Sequence, residues 1–471
     1  MARRFGGRTT LGLIVGNRAF FPGVLCSEGR KVVLDVLKAH GFKVIALSLQ
    51  DTAYGAVESY ADANKCAALF RAHADEITGV LVTLPNFGDE KAVANTLRLS
   101  GLNVPVLVHA FPDDPRHMMY DRRRDAFCGK MSVCNNLRQY GIRFTLTSQH
   151  TVDPKSEIFG ADLDAFGVTC RVVRGLRGAR VGAIGARTGP FNTVRYSEKI
   201  LEAHGISVET IDLSEIYARA AQLPAQQIRR RVQRFQACFD TRGVPAVALE
   251  RMARLALVVE EWMDANDLDG SAVQCWTSLE QYFGICSCAV MSMMSEQMRP
   301  SACEVDVTGL LGMLALQYAS QRPSALVDWN NNYADDPEKA VLFHCSNFPR
   351  SLLQEARLGT HDIIAGTVGK DNTYGTVTGR LKSGPFTFAR ISTDDVAGLI
   401  KGYVGEGELT DDPLETFGGY GVARVPHLQE VMRFACSEGF EHHTAITPGT
   451  VARGVAEAMN NYLEWQVRLF A

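Results

Sequence analysis

Apolar and polar positions fall in blocks that predict strand, helix and strand again. Leu11 to Val15 is a short apolar run, followed by the loop GNRAFFPG and a helical stretch from about Ser27 to His40. Lys43 to Leu47, Gly79 to Leu84 and Val104 to Leu107 read as further buried strands, with helices at Ala61 to Ala72 and Ala92 to Ser100 between them. Short apolar runs separated by helical periods predict a parallel sheet covered on both faces. A second series starts at Gly178, with a strand at Ala179 to Ile184, a helix at Tyr196 to His204 and a strand at Val208 to Ile211. It echoes the first, AHGFKVIAL against AHGISVETI. Long helical stretches at Gln222 to Phe239 and Pro245 to Asn266 lead to a strand at Ala272 to Trp276.

The stretch from Pro300 to Pro349 packs its signals most tightly. Glu304 precedes an apolar helical run that must end before Pro323, because the residue ahead of a proline is pushed out of the helical region. Ala325 to Val327 and Ala340 to Phe343 read as short buried strands ending at Asp328 and His344. After Pro349, His361 to Arg390 alternates β-branched and polar residues between glycine turns, the pattern of antiparallel sheet. A helix from His427 to Glu438, a strand carrying His442 and His443, and an amphipathic helix from Val451 to Leu469 complete the chain. The expected fold is α/β: a Rossmann-like domain at 1–175, a second at 176–350, and a smaller β-rich C-terminal domain at 351–471 closed by the terminal helix.

Composition adds exclusions. The charged fraction is 21%, the hydrophobic fraction 46% and the formal charge −3, values of an ordinary globular protein with no basic excess for nucleic acid. The basic run QQIRRRVQR reads as a solvated or intersubunit helix face. Twelve scattered cysteines without CxxC spacing fit reduced, buried thiols in a cytoplasmic protein. Behind the basic opening residues, Leu11 to Val15 is too short for a leader peptide, and no apolar run approaches the ~20 residues of a membrane span. The loop GNRAFFPG lacks GxGxxG spacing, so no dinucleotide is inferred.

Ligands of open α/β sheets collect at the carboxyl ends of strands. Asp328 and His344 are read at such ends and Glu304 at a helix entrance: two carboxylates and an imidazole, a donor set for a divalent cation. Taken singly, each carboxylate is better explained as a cap or turn former; together, beside the histidine and the asparagine cluster, they point to a site. Arg187, Asn192 and Arg195 lie on the first loop of the second series, the ligand side, and Lys130 stands in the polar segment DAFCGKMSVCNN. Adjacent residues of a strand point to opposite faces, so at most one of His442 and His443 is expected to face any given site.

The motifs ACEVDVTG, ALVDWNN, FHCSNFP and EHHTAITPG, in that order and spacing, resemble the L-fucose isomerase and L-arabinose isomerase superfamily over essentially the whole chain. The resemblance implies a cytoplasmic aldose–ketose isomerase, assembled as a hexamer with a neighbour's N-terminal domain closing the site. It also implies a cation, Mn²⁺ with Mg²⁺ or Co²⁺ as substitutes, held by Glu304, Asp328 and His443. His344 is either a further ligand or a contact to the sugar. Among the shorter relatives the substrates vary and include modified hexoses such as sulfoquinovose. Glu304 and Asp328 then form the acid–base pair of an enediol mechanism, Trp276 an apolar wall, and Asn331 and Asn347 contacts to sugar hydroxyls. A non-catalytic sugar-binding protein with tandem Rossmann-like lobes is the alternative.

Overall fold

The computed structural model describes residues 9–470. The basic residues ahead of Thr9 lie outside that range. The chain forms two compact units, one running to Arg174 and including Glu457–Glu464, the other holding Gly175–Ala456 and the residues from Trp465 onward.

In the first unit, β1 (Thr10–Val15), β2 (Lys43–Ala46), β3 (Gly79–Leu84), β4 (Val106–Ala110) and β5 (Thr145–Leu146) make a parallel sheet in the order β2-β1-β3-β4-β5. Strand side chains alternate between two cores. Leu11, Leu13 and Val15 pack with Val33, Leu37 and Phe159, while Ile14 packs with Phe70, Val93 and Val133 on the other face. This is the doubly wound arrangement the apolar blocks predict.

The second unit opens with another parallel sheet, β6 (Arg180–Ile184), β7 (Ser207–Ile211), β8 (Gly270–Val273) and β9 (Ser301–Cys303), in the order β7-β6-β8-β9. The basic run lies in the helix Ala225–Cys238, where Arg231 turns inward to a bidentate pair with Glu260.

The largest sheet follows, with nine strands against five and four. Its members are β10 (Ala325–Asn332), β11 (Lys339–His344), β12 (Arg357–Gly359), β13 (Thr376–Arg380), β14 (Gly384–Asp394), β15 (Leu399–Thr410), β16 (Gly419–Arg424), β17 (His443–Pro448) and β18 (Gln466–Phe470). The order is β12-β13-β16-β11-β10-β17-β14-β15-β18, and β15 also pairs with β16. The six strands from β16 through β15 therefore close on one another as a barrel around Phe386, Phe388 and Tyr403.

Two expectations are corrected here. β10 and β11 do not belong to the second parallel sheet; they pair antiparallel with each other inside the barrel. Only six residues join them, too few for the dozen or more that a parallel crossover needs. The predicted terminal helix is broken. A helix at Ala452–Glu457 widens into a turn at Ala458–Tyr462, and the chain ends as β18, parallel to β15. The Tyr462 hydroxyl bonds the backbone of Val106, and Glu464 adopts a positive φ of 60°. Val467, buried between exposed Gln466 and Arg468, carries the two-residue period of a strand rather than the helical one. No helix among the described residues is long and apolar enough to cross a membrane.

Candidate active site

Five backbone segments of the second unit deliver the site. The chain leaves β8 through Cys275 and Trp276, and leaves β9 directly into Glu304. Glu304 and Val305 both take positive φ, 62° and 57°. Residues with side chains avoid that region, so the turn here is sharp and strained, and it aims Glu304 back over the sheet edge. Asp306 then caps the helix Val307–Ser320, its carboxylate accepting from the Gly309 amide at 2.8 Å. Asp328 of β10 stands in register with His443, the first residue of β17, and β11 ends on His344.

Their donor atoms converge. Glu304 Oε1 accepts from Trp276 Nε1 at 2.8 Å, which leaves Oε2 turned toward His443. Oε2 approaches His443 Nε2 at 2.9 Å, without the alignment of a hydrogen bond, and Asp328 Oδ1 lies 3.4 Å from the same nitrogen. Glu304, His344 and His443 offer donor atoms within 4.8 Å of one another, as do Asp328, His442 and His443. Among the described residues, Glu304 Oε2, Asp328 Oδ1 and His344 Nε2 are buried with no hydrogen-bond partner. Lone pairs crowded together in this way need a positive charge between them.

Behind the donors lies a buried brace. His443 Nδ1 faces Asp306 Oδ2 at 2.8 Å; with the proton of a neutral ring held there, Nε2 would be a lone pair available to a cation beside Glu304. Arg390 donates to both Asp306 oxygens, at 2.5 and 3.1 Å, to Thr308 Oγ1 at 3.0 Å and to Glu441 Oε2 at 2.9 Å. Asp306 and Arg390 are fully buried. Burial opposes ionisation of Asp306, but Arg390 and His443 outweigh it and hold the carboxyl far below the usual carboxylate range. Burial likewise disfavours a charged His443, yet its contacts with Asp306 and Glu304 lift its pKa to about 10. The field that retains this proton is the field that would retain a cation.

A cavity of about 240 Å³ opens in front of these groups. That is below the ~300–1,000 Å³ of drug-sized ligand sites and suits a monosaccharide. Phe191, Trp276, Phe343, Ile363 and Ile364 form apolar walls, and His361 and His442 add imidazoles. The other side is a thiol cluster, with Cys275, Cys286, Cys288 and Cys345 all lining the cavity. Hydrogen bonds from Cys288 and Cys303 outweigh burial and, with His344, hold the Cys345 thiol well below its ordinary pKa.

The sequence candidates separate on this geometry. Glu304, Asp328, His344, His443 and Trp276 come together. His443 is buried, and His442, just ahead of the strand and so free of its alternation, also reaches the cavity, 3.7 Å from Asp328. Asn347 is buried behind the site, where Nδ2 donates to the Ser301 carbonyl at 2.9 Å and ties the loop after β11 to β9. Asn331 is exposed beyond a bulge in β10, and its side chain accepts from the Asn332 amide. Arg187 donates to the carbonyls of Thr188 and Gly189 on its own loop, and Asn192 is exposed. Lys130 lies buried in the first unit, its ammonium donating to Thr147 Oγ1 at 2.7 Å and the His150 carbonyl at 2.8 Å. Its segment therefore does find partners within its own lobe.

Sequence reading missed Asp306, Arg390, Glu441, Phe191 and the thiols. Only Asp306 left a signal, an Asp three residues ahead of Gly309 at the start of an apolar helical run. Arg390 sits on a strand whose alternation puts it inside, where an arginine is not expected.

Two family profiles match the chain: the fucose/sulfoquinovose isomerase N-terminal domain over residues 12–177, and the L-fucose isomerase C-terminal domain over residues 342–470. The sulfoquinovose isomerase of Alkalicoccus urumqiensis is 25% identical over 294 residues, 60% of this chain and 63% of the relative. That of Priestia megaterium (strain ATCC 12872 / QMB1551) is 22% identical over 292 residues, 61% and 64%. That of Clostridium sp. (strain MSTE9) is 24% identical over 246 residues, 51% and 54%. In each case the match spans less than two thirds of the relative's length. With both of its domain profiles matched in order on one chain, the protein belongs to the fucose isomerase-like family.

Proposed function

We propose that this protein is a divalent-cation-dependent aldose–ketose isomerase that moves a proton between C2 and C1 of a free sugar through an enediol. The observation that carries the reading is the trio of buried donors without a hydrogen-bond partner, Glu304 Oε2, Asp328 Oδ1 and His344 Nε2, gathered about His443 Nε2 at the back of the cavity. Oxygen and imidazole donors suit Mn²⁺, with Mg²⁺ or Co²⁺ as substitutes, and Glu304, Asp328 and His443 would hold it. When bound, such an ion supplies Lewis-acid stabilisation of negative charge on the sugar's O1 and O2.

The chain's own residues do the rest. The Trp276 indole fixes one Glu304 oxygen and leaves the other free to exchange protons. Glu304 and Asp328 provide the carboxylates that take the C2 proton and return it to C1, while the O2 proton passes to O1. His344 Nε2 faces the same space and can bond a sugar oxygen. Phe191 and Trp276, with ring centroids 6.0 Å apart, wall the cavity and exclude water from the enediol.

The substrate is a hexose: sulfoquinovose first, on the names of the relatives, and 6-deoxy sugars of fucose type second, whose methyl end the apolar walls suit. The enzyme works in the cytoplasm as a homohexamer. Support for assembly comes from the first unit, where the apolar side chains of Met119, Tyr120 and Met131 stand 76%, 82% and 60% exposed and are suited to burial against another copy. A panel of aldoses, deoxy sugars and sulfonated sugars, assayed for ketose with and without added Mn²⁺, tests the reading. Sugar binding without turnover or metal dependence would favour a non-catalytic sugar-binding protein instead.

A further inference from the structure

The thiols beside the cavity are metal-capable side chains that the proposed isomerisation does not use. Cys303, Cys345 and an imidazole nitrogen of His344 lie within 4.8 Å of one another. The Cys303 and Cys275 sulfurs approach to 2.9 Å, and Cys288 and Cys303 both hydrogen-bond the Cys345 sulfur. Sulfurs from the segment after β8, from the helix Cys288–Glu296, from β9 and from the loop after β11 thus gather around Cys303 and Cys345, although they are far apart in sequence. His344 links this cluster to the carboxylate site, since Nδ1 lies 3.1 Å from Cys345 Sγ while Nε2 faces the cavity.

We propose that this cluster is a second cation site, built for a soft ion such as Zn²⁺ or Cd²⁺ and distinct from the carboxylate–imidazole site. Thiolates prefer soft ions, whereas the oxygen-rich set of Glu304 and Asp328 prefers hard ones. With metal–sulfur bonds of ~2.3 Å, donors around a tetrahedral ion stand about 3.8 Å apart, so Cys303, Cys345 and His344, whose donors lie within 4.8 Å of one another, close on an ion with small movements. Cys303, Cys345 and His344 supply three ligands, and Cys275 or Cys288 the fourth. Each coordinating thiol exchanges its S–H bond for a sulfur–metal bond and releases one proton to solvent. The Cys345 amide, which donates to His344 Nδ1 at 2.9 Å, gives up that acceptor. Occupancy fixes His344 from behind and so inhibits turnover; this consequence rests on the isomerase reading, but binding of the ion does not.

The test is a titration of the reduced full-length protein with Cd²⁺ in the presence of saturating Mn²⁺, read by the ultraviolet thiolate-to-cadmium charge-transfer band. One tight equivalent per chain is expected. The band should be lost in Cys303→Ser and Cys345→Ser and kept when the exposed Cys128 and Cys436 are both changed to serine. No band in the wild-type protein, a band abolished by Mn²⁺, or a band that follows Cys128 and Cys436 would each overturn the proposal. Because Cys303→Ser alters a fully buried residue, a second measurement uses the wild-type chain. One equivalent of Cd²⁺ should slow alkylation of Cys345 at least tenfold by peptide mass spectrometry, and an unchanged rate would overturn the proposal equally. A band that follows Cys303 and Cys345, in a wild-type protein that shows no metal-dependent turnover, would count against the isomerase reading alone.

Discussion

Replacing Asp306 with asparagine separates the brace from the ligands it supports. The substitution keeps the shape and an acceptor for the Gly309 amide, but removes the charge that His443 Nδ1 and Arg390 both face. Losing the carboxylate behind a metal-bound histidine typically weakens metal binding by about 10- to 100-fold, or ~1.4–2.8 kcal/mol. Breaking a buried ion pair costs about 3–5 kcal/mol of stability. Glu441 remains on Arg390 at 2.9 Å, so the loss should fall at the lower end. Isothermal titration with Mn²⁺ should show the weaker affinity in a folded protein, and activity should recover at high Mn²⁺. A folded Asp306→Asn variant with wild-type Mn²⁺ affinity would refute the reasoning.

Three further outcomes follow from the same geometry. An added Cβ at Gly309 would stand 2.4 Å from Asp306 Oδ2 and 2.9 Å from Arg390 Nη1. Gly309→Ala should therefore lose about 1–3 kcal/mol in thermal unfolding together with Mn²⁺ affinity, and loss of neither would contradict the close packing. Trp276→Phe keeps the wall but removes the donor to Glu304, so kcat/KM should fall about 10- to 100-fold, the ~1.5–3 kcal/mol of a hydrogen bond to a charged group; an unchanged value would deny the indole that role. Burial raises the Glu280 carboxyl from 4.5 to about 7, so its contribution to stability is present below pH 4.5 and lost as pH rises through 7, about 3 kcal/mol in all. Glu280→Gln should then stabilise the fold at pH 8 and change little at pH 4, and equal effects at the two pH values would contradict the assignment.

The parallel sheets were legible because β1, β3 and β6 are continuous apolar runs, and only both-face burial produces such runs. β10 and β11 are equally apolar, which hides whether a helical crossover or a hairpin joins them. The short polar segment 333–338 held the answer. Glu304, Asp328 and His443 could be picked out because a motif order surrounds them. Their brace could not, since Arg390 and Glu441 join Asp306 only through barrel closure, across 84 and 135 positions of sequence for Arg390 and Glu441 respectively. Asn331 and Arg187 show the opposite error, polar residues at plausible loop positions that satisfy themselves on their own backbone.

The central claim is proton transfer by carboxylates gathered around a cation, and isomerisation in D₂O tests it most directly. A proton held on Glu304 or Asp328 exchanges with solvent before it is returned, whereas a hydride passed between carbons does not. After chelation and reconstitution with Mn²⁺, NMR of the ketose should show deuterium at C1, in part if the closed cavity shields the carboxylate. The chelated protein should show neither turnover nor label. Ketose formed over many reversible turnovers without deuterium at C1, or formed equally well by verified metal-free protein, would contradict the account.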